Sequence, residues 1–205
     1  MADSNATISA KEISTFGQYT GAAVSNFLLI GNRIPKDFFV TRGCGESDIA
    51  IHAGSYHLAL KEAGIEMCNI IRYSSILPAI AHEVKKPKLD HGCVLETIMA
   101  MGSTKRGQRV RAGLMLGWLY DKKTGQKYGG LVCEHSGDYD DQEIETNLKA
   151  SLRELYLNGF SEEYDLKDTR CETQTVVPEK KYGTALVALC FTTYVYPVIR
   201  RSTSL

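Results

Sequence analysis

The chain has 205 residues, and its 24 Lys and Arg residues balance 24 Asp and Glu residues to a formal net charge of zero. This balance, without a basic stripe, argues against a nucleic-acid binder and leaves copies of the chain free to associate. Hydrophobic residues make up 43% of the chain, which excludes a disordered protein, and its six cysteines form no C-x-x-C pair, which excludes a zinc ribbon and a dithiol redox motif.

The two ends of the chain differ in character. The first fifteen residues are small and polar, so we expect no signal peptide but a loose arm over residues 1–25. One domain over residues 26–199 and a tail over residues 200–205 follow. The apolar stretch 184–199 is shorter than the roughly 18 apolar residues of a membrane-spanning helix, and it predicts a core strand. These features predict a cytoplasmic protein that makes no contact with membranes.

Strand signals dominate the chain. In one segment apolar residues alternate onto one face from Val110 to Tyr120, and a turn at residues 121–125 returns the chain as a hairpin. Other runs are short, apolar and rich in β-branched residues. In chain order, the predicted strands are residues 38–41, 67–73, 92–101, 108–120, 127–134, 173–177 and 184–195.

Two helices stand out between these strands. The first is predicted over residues 55–63, with Ser55 as N-cap and Gly64 as its stop. The second runs from Asp140 to about residue 158. Its apolar stripe faces the core, and its acidic first turn suits the helix dipole; the stripe consists of Ile144, Leu148, Leu152 and Leu155. This pattern predicts an α/β fold in which layered sheets are covered by helices.

Several blocks of the sequence match one family in order. The most unusual is Arg72-Tyr73-Ser74-Ser75-Ile76-Leu77-Pro78, which resembles the self-cleavage site of the pyruvoyl-dependent arginine decarboxylases. The resemblance runs from about Pro35 to Tyr194. The other matching blocks are residues 43–47 (Gly-Cys-Gly-Glu-Ser), 63–65 (Ala-Gly-Ile), 95–100 (Leu-Glu-Thr-Ile-Met-Ala), 130–134 (Gly-Leu-Val-Cys-Glu) and 182–183 (Tyr-Gly).

The resemblance implies both the fold and the chemistry. It implies a layered sandwich of mainly antiparallel sheets flanked by helices, and a lyase that converts arginine to agmatine and CO₂, a reaction of polyamine biosynthesis. The hydroxyl of Ser75 would attack the carbonyl carbon of Ser74, and cleavage between them would leave a covalent pyruvoyl group at residue 75. That group would form a Schiff base with the substrate amine and draw electrons away as CO₂ leaves.

The same resemblance assigns residues to the site. Glu134 is implied as the proton donor to the decarboxylated carbon, and Asn69 as a residue that supports both self-cleavage and substrate contact. The implied substrate-binding residues are His57, Leu60, Asn69, Ser74 and Ile76. Cys133 and His135 flank Glu134, so strand alternation points them to the other face and argues against a nucleophile pair. The histidines and cysteines lack metal-ligand spacing, so no metal is expected.

The distance between Asn69 and Ser75 bears on assembly. Six residues of extended strand span roughly 20 Å, so Asn69 does not readily reach Ser75 of its own chain. Either the chain folds back sharply, or the site lies between subunits. The second alternative agrees with the family, which assembles as trimers or dimers of trimers, and we expect a homo-oligomer.

One position departs from the family. Where arginine-decarboxylating relatives carry an aspartate that meets the guanidinium, this chain has His57, which cannot supply a planar carboxylate. Glu62, Glu66 or Asp48 could compensate. Two alternatives therefore stay open beside the arginine decarboxylase: a pyruvoyl enzyme for a different amino acid, and a non-catalytic oligomeric binding protein on the same scaffold.

Overall fold

The computed structural model describes residues 27–202, which form a mixed α/β fold made mostly of strands, as the sequence pattern predicts. The strands of this part are β1 (Phe27–Ile30), β2 (Ile34–Pro35), β3 (Asp37–Ser47), β4 (Asn69–Arg72), β5 (Ile76–Pro78), β6 (His82–Glu83), β7 (Val94–Lys105), β8 (Val110–Asp121), β9 (Lys127–Gly137), β10 (Tyr164–Val176), β11 (Tyr182–Phe191), β12 (Tyr194–Val195) and β13 (Val198–Ser202). The helical segments are a π-helical turn (Ile51–Tyr56), α1 (His57–Ala63) and α2 (Asp141–Gly159).

The described residues fall into two units. The larger is Ile34–Tyr194, and the smaller comprises residues 27–33 and 195–202. In the smaller unit β1 and β13 pair antiparallel, and the N–H of Gly31 donates to the carbonyl oxygen of Pro197 at 2.7 Å. The predicted arm over residues 1–25 lies outside the described residues.

Two sheets dominate the larger unit. The five-stranded sheet has the order β4-β7-β11-β3-β6, in which β11 pairs antiparallel with both β7 and β3 while the short edge strands β4 and β6 pair parallel. The four-stranded sheet has the order β10-β8-β9-β5 and is antiparallel throughout. The predicted hairpin of β8 and β9 is confirmed, with Leu114 opposite Glu134.

Three clusters of buried side chains hold these elements together. The first joins the two sheets, because it combines Ile98 and Val187 of the five-stranded sheet with Leu114 and Val132 of the four-stranded sheet. The second packs α1 against the five-stranded sheet, and the third packs α2 against the four-stranded sheet. Ile144, Leu148 and Leu152 are all buried in the third cluster, which confirms the predicted stripe of α2. Burial of each such side chain stabilises the fold by about 1.5–3 kcal/mol.

The second predicted helix begins where the sequence indicates. Asp140 is its N-cap, and its Oδ1 accepts from the N–H groups of Gln142 and Glu143 at 2.8 Å each. The Glu143 carboxylate accepts from the N–H of Asp140 at 2.8 Å and completes a capping box.

The first predicted helix differs at its start. Ser55 is not an N-cap, because its hydroxyl is buried and hydrogen-bonded to the hydroxyl of Thr184 on β11 at 2.8 Å. Helical backbone already begins at Ile51 as a π-helical turn, and α1 follows from His57. The predicted stop is confirmed, since Gly64 is left-handed with φ 68°.

The predicted strand over residues 184–195 also differs. β11 ends at Phe191, because the next two residues form hydrogen bonds with Asp37 instead of continuing the strand. The backbone N–H of Thr192 donates to the Asp37 carbonyl oxygen at 2.8 Å, and the hydroxyl of Thr193 donates to the Asp37 carboxylate at 2.7 Å. A separate short strand then includes Tyr194.

Candidate active site

The predicted cleavage site lies where the chain changes sheets. Before it, β4 is an edge strand of the five-stranded sheet, and after it, β5 is an edge strand of the four-stranded sheet. The N–H of Tyr73 donates to the carbonyl oxygen of Thr97 at 2.7 Å, and the N–H of Val132 donates to the carbonyl oxygen of Ser75 at 2.9 Å. The Ser74–Ser75 peptide is therefore held from both sides by backbone bonds to different sheets.

The carbonyl of Ser74 has a donor of its own. It accepts a hydrogen bond from the N–H of Ile76 at 3.1 Å, which closes a three-residue turn centred on Ser75. An N–H donor on a carbonyl oxygen stabilises negative charge that develops there during nucleophilic attack. Ser74 and Ile76 are exposed, whereas Ser75 is half-buried.

Glu134 lies on β9 close to this turn. The β5–β9 register pairs Ile76 with Leu131, so Ser75 lies beside Val132, and Val132 shares its face of the strand with Glu134. That face points into the cluster between the two sheets, where Val132 and Leu114 are buried. Ser75 therefore lies beside Val132, two residues along β9 from Glu134.

The environment of the Glu134 carboxyl is unusual for an acid. Its Oε2 is buried and has no hydrogen-bond partner among the described residues. Burial raises the pKa of the Glu134 carboxyl above its usual range, and the positive charge of Arg72 opposes that rise. Such a carboxyl holds its proton to a higher pH than a solvated glutamate does.

The neighbours of Glu134 on β9 face the other way, as strand alternation predicts. Cys133 is buried in the cluster beneath α2, and burial raises the pKa of its thiol to about 11. The Nε2 of His135 lies 2.8 Å from the hydroxyl of Ser151 on α2. Cys133 is therefore a protonated core thiol at neutral pH, which argues against a role as a nucleophile.

Asn69 is the first residue of β4 in the five-stranded sheet. Its side-chain amide donates to the carbonyl oxygen of Gly92 at 2.9 Å, and its backbone N–H donates to the carbonyl oxygen of Cys93 at 2.8 Å. The Asn69 side chain is exposed, and no hydrogen bond joins it to Ser75 within the described part of the chain. The structure thus brings Ser74, Ser75 and Glu134 together and leaves Asn69 at the far end of its strand.

The remaining predicted substrate contacts lie on α1. His57 is its first residue and is exposed, whereas Leu60 is buried in the cluster between α1 and the five-stranded sheet.

The three carboxylates that could replace the missing aspartate differ in the interactions that they already form within the chain. Glu62 Oε2 accepts from the N–H of Cys44 at 2.6 Å. Asp48 accepts from the N–H of Lys181 at 3.0 Å and lies 3.5 Å from the Arg106 guanidinium. Glu66 is half-buried in the turn after α1.

Sequence reasoning assigned no role to two features of this region. Arg72 belongs to the block of residues 72–78 that resembles the cleavage site, yet only the structure shows that its charge acts on Glu134. Gly43 and Gly45 leave room for α1 to lie directly on β3: a Cβ at Gly45 would meet the Ala59 amide nitrogen at 2.5 Å. The described residues contain no group of three or more metal-ligating side chains.

Comparison with known proteins assigns the chain to a family. The family model described as pyruvoyl-dependent arginine decarboxylase matches residues 37–196. This chain belongs to the pyruvoyl-dependent arginine decarboxylase family. The matched range agrees with the resemblance found from Pro35 to Tyr194.

Curated relatives of the family come from bacteria and archaea. Pyruvoyl-dependent arginine decarboxylase AaxB of Chlamydia trachomatis serovar L2 is 31% identical over 185 residues, which cover 78% of this chain and 92% of the relative. Pyruvoyl-dependent arginine decarboxylase 2 of Archaeoglobus fulgidus is 32% identical over 111 residues, or 52% of this chain and 67% of the relative. A third, from Methanocella arvoryzae, is 33% identical over 107 residues, or 50% and 63%. No helix in residues 27–202 is long and apolar enough to cross a membrane.

Proposed function

We propose that this chain is a self-processing decarboxylase that converts arginine to agmatine and CO₂ and carries a pyruvoyl group made from Ser75. The observation that carries the proposal is the position of the Ser74–Ser75 turn beside Glu134, whose buried Oε2 lacks a partner among the described residues. Membership of the family and the names of its relatives support the same activity.

Self-processing follows from the turn. The Ser75 hydroxyl oxygen attacks the carbonyl carbon of Ser74, the bond to the Ser75 nitrogen breaks, and an ester takes its place. The N–H of Ile76 donates to the oxygen on which charge develops. Loss of the Ser75 Cα proton then expels the Ser74 carboxylate with residues 1–74, and water replaces the nitrogen of the dehydroalanine to release ammonia.

The residues around Ser75 fit a pyruvoyl group. When present, such a group supplies an electron-withdrawing carbonyl that takes up the electrons left behind as CO₂ departs. The N–H of Val132 holds the Ser75 carbonyl in place, and the exposed Ser74 and Ile76 leave the turn open to a substrate.

Glu134 keeps the proton that the product needs. Because burial raises its pKa, its carboxyl stays protonated to a higher pH than a solvated glutamate. From β9 it delivers that proton to the carbon that has lost CO₂, and the apolar face around Val132 keeps water from competing.

The site is proposed to lie between subunits of a trimer or a dimer of trimers. Asn69 lies at the far end of β4 from the cleavage turn, and its side chain is hydrogen-bonded to Gly92 rather than to Ser75, which supports a site in which a partner copy brings an Asn69 to each Ser75. Exposed apolar side chains surround the edge strand β4 and the cleavage turn, and association would cover them. They are Ile71, Ile76, Ile80 and Val94, with exposed fractions of 46%, 53%, 46% and 57%.

We further propose a layered sandwich in the order α1, five-stranded sheet, four-stranded sheet, α2, which the three buried clusters support.

The catalytic domain is residues 26–199, with an arm over 1–25 and a tail over 200–205. The cytoplasm is its proposed compartment, because all six cysteines are free thiols and that compartment keeps thiols reduced.

The proposal is tested by processing and activity together. Denaturing electrophoresis and intact mass of the purified protein should give residues 1–74 and a fragment that begins with a pyruvoyl group at residue 75. A CO₂-release screen across the amino acids should then show arginine as the preferred substrate. An uncleaved chain with an unmodified Ser75 would refute the proposal.

A second candidate is a pyruvoyl enzyme for another amino acid. The exposed His57 favours it, because an imidazole offers no carboxylate to a guanidinium, and Glu62 and Asp48 already accept hydrogen bonds from their own chain. In the same screen, cleaved protein that is silent on arginine and active on another amino acid would select it. Unprocessed, inactive oligomers would select the non-catalytic binding protein.

A further inference from the structure

The thiols of Cys68 and Cys93 are in contact. Their sulfur atoms lie 3.3 Å apart, and no other pair of cysteines forms a sulfur–sulfur hydrogen bond in the described residues, which include all six cysteines. Cys68 immediately precedes β4 and Cys93 immediately precedes β7. The two cysteines are therefore neighbours at the start of a parallel strand pair.

The backbone keeps these cysteines side by side. Asn69 is in register with Val94, and its N–H donates to the carbonyl oxygen of Cys93 at 2.8 Å. A disulfide has a sulfur–sulfur length of about 2.05 Å, so the thiols need to approach by only about 1.3 Å, within the reach of side-chain rotation.

The two paired thiols are accessible to a small oxidant. Both are half-buried, as are Cys44 and Cys171, whereas Cys133 and Cys190 are buried, so contact between the sulfurs rather than access distinguishes the pair. Burial and the adjacent Cys93 raise the pKa of the Cys68 thiol to about 12. The Cys68 thiol therefore stays protonated near neutral pH and reacts faster as the pH rises.

We propose that Cys68 and Cys93 form a redox-modification site, which a hydroperoxide converts to a disulfide that links β4 to β7. The sulfur of one cysteine attacks a peroxide oxygen, the O–O bond breaks, and a sulfenic acid forms while the other oxygen leaves as an alcohol, or as water when the oxidant is hydrogen peroxide. The second sulfur attacks the first and expels the sulfenic oxygen as water. The two thiols lose two electrons in all, which reduce the hydroperoxide, and a dithiol reductant reverses the reaction.

The position of this bond relative to the cleavage site gives it a consequence, and this step rests on the proposed function. Cleavage after Ser74 places Cys68 in the fragment 1–74 and Cys93 in the fragment 75–205. The disulfide then joins the two fragments covalently.

The bond also secures a residue of the site. Without it, β4 is an edge strand of four residues that has lost its continuation into β5. With it, β7 holds the residue that precedes Asn69, the first residue of β4. The Asn69 side chain already donates a hydrogen bond to the carbonyl oxygen of Gly92.

Peptide mapping tests the bond directly. The reduced full chain is exposed to hydrogen peroxide, blocked with N-ethylmaleimide and digested with trypsin without reduction. The expected product joins residues 62–72 to residues 89–105 and disappears after dithiothreitol. It should be absent from both Cys68→Ser and Cys93→Ser, and present in Cys171→Ser, which removes a half-buried thiol elsewhere. A link from residues 62–72 to residues 182–200, which contain Cys190, or recovery of both peptides as separate maleimide adducts, would overturn the inference.

Electrophoresis separates this inference from the proposed function. In oxidised, processed protein the two fragments should migrate as one species without reductant and as two species with it. The midpoint temperature of thermal unfolding should be several degrees higher than that of Cys68→Ser. An unprocessed chain that still forms the linked peptide contradicts the proposed function alone. Processed fragments that separate without reductant after peroxide treatment contradict the disulfide alone.

Discussion

The backbone N–H of Val132 donates to the carbonyl oxygen of Ser75 at 2.9 Å, which attaches the cleavage turn to the strand that carries Glu134. That carbonyl belongs to the peptide between Ser75 and Ile76, which cleavage after Ser74 leaves intact. The bond therefore holds the new N-terminus of the second fragment in place. On the other side of the cut, the bond from Tyr73 to Thr97 holds the end of the first fragment.

Replacement of Ser75 by alanine should abolish both processing and decarboxylation, because it removes the hydroxyl that attacks the Ser74 carbonyl. Replacement of Ser74 by alanine is the matched control, since it keeps the attacked carbonyl and its hydrogen bond from Ile76. Denaturing gels should show one band for Ser75→Ala and two for Ser74→Ala. Two bands from Ser75→Ala would show that another residue is the nucleophile.

Replacement of Glu134 by glutamine should leave processing intact and lower the decarboxylation rate by about 10²–10⁴-fold, the usual contribution of a general acid. Glutamine keeps the size of the side chain and removes the transferable proton. The measurement is kcat on protein whose cleavage has been confirmed by mass. A cleaved Glu134→Gln enzyme with unchanged kcat would assign the proton to another group.

The pH dependence of decarboxylation by the wild-type enzyme should also show that Glu134 is the proton donor. A donor works only when protonated, so activity falls as the pH rises through its pKa. Because burial raises the pKa of Glu134, this falling limb should lie at a higher pH than an ordinary glutamate would give. The charge of Arg72 opposes that rise, so Arg72→Gln should move the limb to still higher pH. Arg72→Lys, which keeps the charge, is the control, and equal profiles for Arg72→Gln and the wild type would remove Arg72 from this role.

Much of this arrangement was predictable from the sequence. Alternation from Val110 to Tyr120 predicted the face of β8 that packs between the two sheets, although the opposite face is buried as well, beneath α2. The stripe through Ile144 predicted which face of α2 packs. Both predictions depend on local periodicity alone. The start of α1 was not predictable: Ser55 has the right type for an N-cap, but its partner is Thr184, 129 residues away. Likewise, no local pattern reports that Arg72 acts on Glu134, since they lie on strands of different sheets.

The N-cap of α2 should matter for stability. Replacement of Asp140 by alanine removes the acceptor for the N–H groups of Gln142 and Glu143 and should lower the free energy of unfolding by about 1 kcal/mol. Urea unfolding measures the change. Glu154→Gln, at an exposed position on the same helix, should stay close to the wild type, and equal losses in the two variants would contradict a specific capping effect.

The close packing of α1 against β3 leaves no room for a side chain at Gly43. A Cβ there would meet the carbonyl oxygen of Ala59 and would lie 2.7 Å from the amide nitrogen of Ala63, so backbone has to move. Gly43→Ala should therefore lower the free energy of unfolding by about 1–3 kcal/mol, the usual cost of overpacking a core. Gly159→Ala is the matched control, because a Cβ at Gly159, the last residue of α2, meets no atom within 4 Å. Since alanine restricts the unfolded chain more than glycine, that control should be neutral or slightly stabilising. Equal stability of Gly43→Ala and the wild type in urea would mean that α1 is not pressed against β3.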